Sequence, residues 1–191
     1  MSDHDLSHQE LLHLLTEHNN YLDKTNEYNG KKLSLKSASI YELNLSGSNL
    51  NSAVFEFCLF DTANFSRCSF INSTFSFAIL HKVVFSHGDF SGAILSANCT
   101  SCNFDNCIFD ESTSFELFSV DYETYSKSKW EPKFILDIYN KGASICTKLE
   151  SLLIEHFGEN VIIKSEKELP IKKDLLTEEE KAQLLNGDFL L

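Results

Sequence analysis

Large apolar residues recur at nearly every fifth position through the first half of the chain, from Leu35 onward. A second ladder of mostly small residues, such as Ala53, Ala63 and Ala93, precedes the large residues by two positions. This spacing matches neither the period of a helix nor that of a strand. The pattern therefore predicts a stacked repeat of the form small, X, large, X, X.

Two inward side chains in every five residues predict a short extended edge followed by a corner, and four such edges close a square coil. The large residues then form four columns at steps of twenty: Leu35, Phe55, Phe75 and Leu95; Ile40, Phe60 and Leu80; Leu45, Phe65 and Phe85; Leu50, Phe70 and Phe90. The ladder resumes one residue early at Ala97, which indicates a missing outward corner residue. With coils about 4.8 Å apart, roughly four coils make a rod about 20 Å long.

Three units state the repeat most clearly: Leu-Asn-Leu-Ser-Gly at 43–47, Ala-Asn-Phe-Ser-Arg at 63–67 and Gly-Asp-Phe-Ser-Gly at 88–92. They resemble the pentapeptide-repeat family, whose consensus is Ala-(Asp/Asn)-Leu-X-X. The resemblance covers about 80 of 191 residues and implies a mainly β fold, the right-handed quadrilateral β-helix. The Gly-Lys-Lys-Leu segment at 30–33 resembles the one that leads into the repeats of some bacterial members. The family does not fix a function, because one fold serves many roles.

Three regions follow from these patterns: a capping helix with the loop after it at 1–32, the solenoid at 33–115 and an α-rich region at 116–191. A capping-box motif at Ser7 and Glu10 predicts a helix over 7–22 that covers the open end of the first coil. Beyond the repeats, apolar spacing and Pro or Gly boundaries predict three helices and a strand. The helices are expected at 132–141, 144–157 and 177–186, and the strand at 161–163.

The sequence contains no Gly-rich phosphate loop, nucleophile elbow or paired-acid motif, which predicts a non-catalytic protein without a cofactor. The cysteines of the repeats fall on the inward ladders, so we expect reduced packing residues and no metal site. They are Cys58, Cys68, Cys99, Cys102 and Cys107. Four N-terminal histidines would fan around a helix, which indicates a solvated face and not a ligand row. They are His4, His8, His13 and His18.

A formal net charge of −12 argues against direct binding of nucleic acid through phosphates. No apolar run approaches the roughly 20 residues of a membrane span, and the start lacks the basic and apolar parts of a signal peptide. We therefore expect a cytoplasmic protein that does not enter a membrane.

Some pentapeptide-repeat proteins mimic duplex DNA, bind DNA gyrase and protect it from topoisomerase poisons, so the resemblance implies this alternative. The charge does not favour it, because the net charge is only −4 in residues 35–115, with −3 in residues 1–34 and −5 in residues 116–191. Four coils also make a short mimic. A further alternative is an exported effector or a secretion-associated adaptor, for which the sequence offers no clear signal.

Six apolar residues at outward positions are expected to line one edge of the rod: Val54, Phe57, Leu59, Phe77, Ile79 and Ile94. An exposed patch of this kind is unusual for a free monomer. Either the helices of residues 116–191 fold back over it, or it is a homodimer face or the site of a protein partner of unknown identity. The sequence therefore predicts an interaction module or scaffold.

Overall fold

Parallel strands wind into a solenoid of about four turns, with one helix at its N-terminal end and further helices at its C-terminal end. The computed structural model describes residues 4–5, 8–23 and 29–162. The described strands, all paired in parallel, are β1 (His4–Asp5), β2 (Ser34–Lys36), β3 (Ala38–Tyr41), β4 (Val54–Glu56), β5 (Leu59–Asp61), β6 (Thr74–His81), β7 (Ile94–Thr100), β8 (Ser119–Val120) and β9 (Ser144–Ile145). The described helices are α1 (His8–Leu22), α2 (Tyr122–Ser128), α3 (Pro132–Asn140) and α4 (Thr147–Phe157), followed by a 3-10 turn at Glu159–Val161.

The strand register confirms the predicted columns. Leu35 lies opposite Phe55, which lies opposite Phe75 and then Leu95. The missing corner residue is also confirmed, because Ser76 pairs with Ser96 and Ala78 pairs with Ala97. Phe77 therefore has no counterpart in the fourth coil, and β7 passes that corner as one continuous strand.

Aromatic rings fill the core in stacks that run along the rod. Phe65 stacks on Phe85 with ring centroids 5.6 Å apart, and Phe70 stacks on Phe90 at 4.8 Å. Rings of neighbouring columns meet edge to face, as Phe65 and Phe70 do at 72°. Since these four rings are at most 1% exposed, they form one continuous packed interior.

The corners of the coils place one residue in nearly every five in the left-handed region, for example Thr62 and Asn72 with φ of 58° and 57°. This conformation costs a residue other than Gly about 1–2 kcal/mol. Local hydrogen bonds support the turns: the Asn64 Oδ1 accepts from the Ser66 N–H at 3.0 Å. The Asn or Asp at the second position of a repeat therefore has a structural task.

The N-terminal helix covers the first coil, which confirms the predicted helix as His8–Leu22, although Ser7 lies outside the described residues. Leu11 of this helix is buried. His18 is also buried, and its Nδ1 accepts a hydrogen bond from the Leu33 N–H at 3.0 Å. The expected solvated face is therefore wrong for His18, although His13 is exposed, and the side chains of His4 and His8 lie outside the description.

The C-terminal helices close the other end of the rod. Trp130 stacks on Phe104 at 5.5 Å, and Phe134 lies 5.5 Å from Phe109. Hydroxyl groups of α2 accept hydrogen bonds from the last coil: Thr124 from the Cys102 N–H at 3.0 Å, and Ser128 from the Phe104 N–H at 2.9 Å. Aromatic side chains and helix hydroxyls thus replace a further coil.

Three sequence predictions for this region need correction. The short helix α2, which begins after the N-cap Asp121, was not predicted. The helix predicted over 144–157 begins at Thr147, because Ser144–Ile145 pair with β8 as a strand. The strand predicted at 161–163 is wrong, since Glu159–Val161 form a 3-10 turn and residue 163 lies outside the description. The helix predicted at 177–186 also lies outside it.

We expect Phe65→Ala or Phe85→Ala to lower the free energy of unfolding by about 3–5 kcal/mol, because each leaves a cavity inside a stack. Phe77→Ala is the matched control, since its ring is 57% exposed, and its cost should be about 1 kcal/mol or less. Chemical denaturation of the three variants measures these values. Equal losses at Phe77 and Phe65 would contradict the proposed core.

Acid should weaken the N-terminal cap through His18. Burial, and then the charge of Lys32, lower the pKa of His18 below 6.5 in the folded protein. The imidazole of His18 therefore binds a proton more tightly in the unfolded chain than in the folded protein. The neutral imidazole stabilises the fold above about pH 6.5, and this stabilisation is lost as the pH falls from about 6.5 through the lower pKa of the folded protein. His18→Asn keeps an acceptor for the Leu33 N–H without titrating.

The melting temperature of the parent should accordingly fall more steeply than that of His18→Asn between about pH 7.5 and 5.5. His13→Asn, on the exposed side of the same helix, should keep the slope of the parent. Parallel slopes for all three proteins would contradict the role assigned to His18.

Candidate functional site: an apolar edge of the rod

The structure brings the six outward apolar residues of the predicted edge together around one corner. Strand pairing puts Val54, Thr74 and Ile94 in one column. It puts Leu59 and Ile79 in a second column on the other side of the corner. Phe57 and Phe77 lie between these columns, at the corner itself. We call the surface formed by the six predicted residues the apolar edge.

Two phenylalanine rings form the centre of the apolar edge. Phe57 and Phe77 lie face to face with centroids 5.2 Å apart and an interplanar angle of 8°. They are 52% and 57% exposed, and Ile79 is exposed to a similar degree. Val54 and Leu59 are half-buried and form the base of the patch.

Leu117 extends the same corner and was missed by the sequence analysis. It follows Phe115 by two positions, as Phe77 follows Phe75, and its φ of 60° places it at a left-handed corner. Its side chain is 60% exposed. The repeat was predicted to end near residue 115. Because Ser119 pairs with Asn98, the solenoid instead continues into a fifth coil, in which the corner residue is present again. The offset of forty residues from Phe77 was the available signal.

The corner column differs from every other corner of the described solenoid. In the described solenoid, the large apolar residues with positive φ are Phe57, Phe77 and Leu117. The other corner residues with positive φ are polar or Gly: Ser37, which begins the same column in the first coil, and Glu42, Gly47, Ser52, Thr62, Arg67, Asn72, Lys82, His87, Gly92, Ser101 and Asn106. Because a left-handed corner favours Gly or short polar residues, the backbone does not call for these three side chains.

Polar groups border the apolar edge. The Lys36 Nζ lies 3.0 Å from the Glu56 Oε1, next to Phe57. At the other end, the Ser96 hydroxyl donates to the Glu116 carbonyl oxygen at 2.8 Å. An apolar centre with a polar rim is the usual anatomy of a protein-binding patch.

The described C-terminal helices do not cover the apolar edge. They pack on the last coil through Trp130 and Phe134, whereas Phe57 and Phe77 stay more than half exposed. Residues 163–191 lie outside the description. The prediction that the chain covers its own apolar edge therefore remains, and it now concerns residues 163–191 alone.

The cysteines of the repeats are packing residues, of which Cys58, Cys68, Cys99 and Cys102 are buried and Cys107 is half-buried. The Cys68 thiol donates to the Leu45 carbonyl at 3.0 Å, and the Cys107 thiol donates to the Phe85 carbonyl at 3.0 Å. Burial raises the pKa of Cys68 to about 11 and that of Cys107 to about 12. Burial followed by the contact with Cys102 raises the pKa of Cys99. These thiols therefore stay protonated and poorly nucleophilic.

Within the ranges that the structure describes, no cluster of His, Cys, Asp or Glu has the geometry of a metal site. No helix in those ranges has the length and hydropathy needed to cross a membrane.

Comparison with known families identifies the repeat. The family model of pentapeptide repeats matches residues 58–96 with eight copies. Residues 58–96 of the solenoid are pentapeptide repeats. A comparison with functionally curated sequences finds no match.

Several solved pentapeptide-repeat structures are similar to this one. HetL from the cyanobacterium Nostoc sp. strain PCC 7120, involved in regulating heterocyst differentiation, is 22% identical with a TM-score of 0.44 over 60% of this chain and 47% of HetL. The match thus spans about half of HetL. A second Nostoc PCC 7120 protein is 17% identical with a TM-score of 0.35, over 60% of this chain and 86% of its own. Trypsin-treated QnrB1, a plasmid-mediated fluoroquinolone resistance protein, is 14% identical with a TM-score of 0.35, over 67% and 82%.

In the native protein, a thiol reagent at neutral pH should modify Cys146 first, because the other half-buried cysteine, Cys107, has its pKa raised by burial to about 12. The cysteines Cys58, Cys68, Cys99 and Cys102 are buried and should react only on unfolding. Cys146→Ser should remove the fast phase. Rapid reaction of several thiols in the native variant would contradict the inward placement of the ladder.

Proposed function

We propose that this pentapeptide-repeat protein is a non-catalytic scaffold that binds a partner protein through the apolar edge. The observation that carries the proposal is the corner column of Phe57, Phe77 and Leu117, which places exposed large apolar side chains where the other described corners carry polar residues or Gly. Exposed apolar area of this kind, enclosed by polar groups, is a feature of protein-binding sites.

The missing corner residue of the fourth coil supports the proposal and suggests the chemistry of the partner. Phe77 and Leu117 are two coils apart, which corresponds to about 10 Å along the corner. A coil without a corner side chain lies between them, since no residue separates Ser96 from Ala97. We expect a Leu or Phe side chain of the partner to pack at this position, with Phe77 and Leu117 on either side and Ile94 beside it.

The stacked pair Phe57 and Phe77 supplies the rest of the contact. Aromatic side chains are enriched among the residues that dominate binding energy, and this pair needs no rearrangement to offer a flat apolar face. The partner we propose is therefore a protein with a small apolar surface and few charges at its centre. Binding of DNA gyrase, export and a cytoplasmic location stay predictions.

Photocross-linking from within the native host tests the proposal. Benzoylphenylalanine replaces Phe57 in one variant and Phe77 in another, and it replaces Ile108 in the matched control. Ile108 is 55% exposed and lies on the fourth side of the coil, away from the apolar edge. We expect one and the same protein to be captured from positions 57 and 77 and not from 108.

The captured species also distinguishes the alternatives. Cross-links to residues 163–191 of the same molecule would mean that the chain covers its own edge, and cross-links to a second copy would mean a homodimer face. Either result, or equal labelling from all three positions, would contradict the proposed partner site. In a binding assay without cross-linking, the double variant Phe57→Asp, Phe77→Asp should no longer bind the partner. Its melting temperature should stay close to that of the parent.

A further inference from the structure

A groove lies at the N-terminal end of the rod, between α1 and the third and fourth sides of the first coil. Its volume is about 470 Å³, and it is lined by one side of the helix and by residues 44–49. Leu12, Leu15 and Leu45 give it an apolar floor, and Leu12 is 49% exposed. Every residue that lines the groove is uncharged.

The wall formed by residues 44–49 is an open edge of the parallel sheet. One coil below, the Asn64 N–H donates to the Leu43 carbonyl at 2.7 Å, and the Asn64 carbonyl accepts from the Leu45 N–H at 2.9 Å. The Ser69 N–H donates to the Ser48 carbonyl at 3.1 Å in the same direction. The equivalent groups of the first coil belong to Asn44 and Asn49, and no described residue accepts a hydrogen bond from either N–H.

An adjacent part of this edge already receives an added strand. His4 and Asp5 of β1 pair in parallel with Ala38 and Ser39 on the second side of the first coil. The edge of the first coil therefore accepts an extended segment in the direction of the solenoid strands. The third side, at Asn44, repeats the same backbone geometry but opens into the groove.

We propose that this groove binds an uncharged peptide segment of a partner protein, which adds to the first coil in parallel along residues 44–49 and follows the corner at Gly47. The N–H groups of Asn44 and Asn49 donate to carbonyl oxygens of the segment, as those of Asn64 and Ser69 do one coil below. An apolar side chain of the segment packs on Leu12 and Leu45. The uncharged lining disfavours a segment with Lys, Arg, Asp or Glu at the buried positions.

A second copy of the chain does not fit this site end to end. Trp130 and Phe134 cover the last coil, so its strand edges are not free to stack on the first coil of another molecule. None of the residues that line the groove belongs to the apolar edge, and binding there does not depend on the function proposed above.

A peptide with the sequence of residues 43–50 is the appropriate probe, because that segment occupies the equivalent position above the second coil. The acetylated and amidated peptide Leu-Asn-Leu-Ser-Gly-Ser-Asn-Leu is titrated into the full chain. We expect saturable binding and slower hydrogen exchange of the Asn44 and Asn49 amides, by about tenfold or more. A peptide with alternate backbone amides N-methylated should not bind, since it cannot complete the ladder.

Matched variants test the apolar floor. Leu12→Asp should weaken peptide binding by about tenfold or more, because it places a carboxylate against the bound segment. Ile108→Asp, a similarly exposed site on the rod, should bind as the parent does.

Three results would overturn the inference. One is the absence of saturable binding at millimolar peptide. Another is binding that leaves exchange of the Asn44 and Asn49 amides unchanged, which would exclude strand addition. The third is slow exchange of both amides in the free protein, which would mean that the chain's own residues already occupy the edge.

Discussion

Stacking of each coil directly on the previous one is the constraint on which the whole structure depends. Parallel pairing fixes the spacing of the coils, so each inward residue must pack on the residue about twenty positions earlier. Phe is well suited to this task because its flat ring stacks at that spacing, as Phe70 and Phe90 do at 4.8 Å. The backbone ladder and the side-chain columns thus enforce the same register, and neither can slip without the other.

Every solenoid of this kind must also close its two ends, and this chain does so by different means. At the N-terminal end, α1 and β1 cover parts of the first coil, and the imidazole of His18 serves as a backbone-like acceptor for the Leu33 N–H. At the C-terminal end, the hydroxyls of Thr124 and Ser128 accept from the last coil while Trp130 covers its rings. Among the described residues the C-terminal cover is the more complete, and the groove lies at the N-terminal end.

The columns and the apolar edge could be predicted from the sequence because a fixed period converts position directly into a place in space. Once Phe57 and Phe77 are twenty residues apart in an unbroken register, their stacking follows without knowledge of any other contact. Leu117 was missed because one residue is lost before Ala97 and one is regained before Ser119, although the two changes cancel over the forty residues from Phe77. The burial of His18 and the helix after Asp121 depend on tertiary contacts with the coil ends, which no local pattern reports.

Departures from the repeat therefore carry the individual character of this protein. A regular pentapeptide solenoid needs only small and large inward residues, short polar corners and caps, and its outward positions are otherwise free. Apolar residues at three left-handed corners, a corner without a residue and an uncovered stretch of sheet edge all depart from that minimum. None of them strengthens the core columns, and an exposed apolar corner lowers solubility. Their presence is more readily explained by contacts with other polypeptides than by folding.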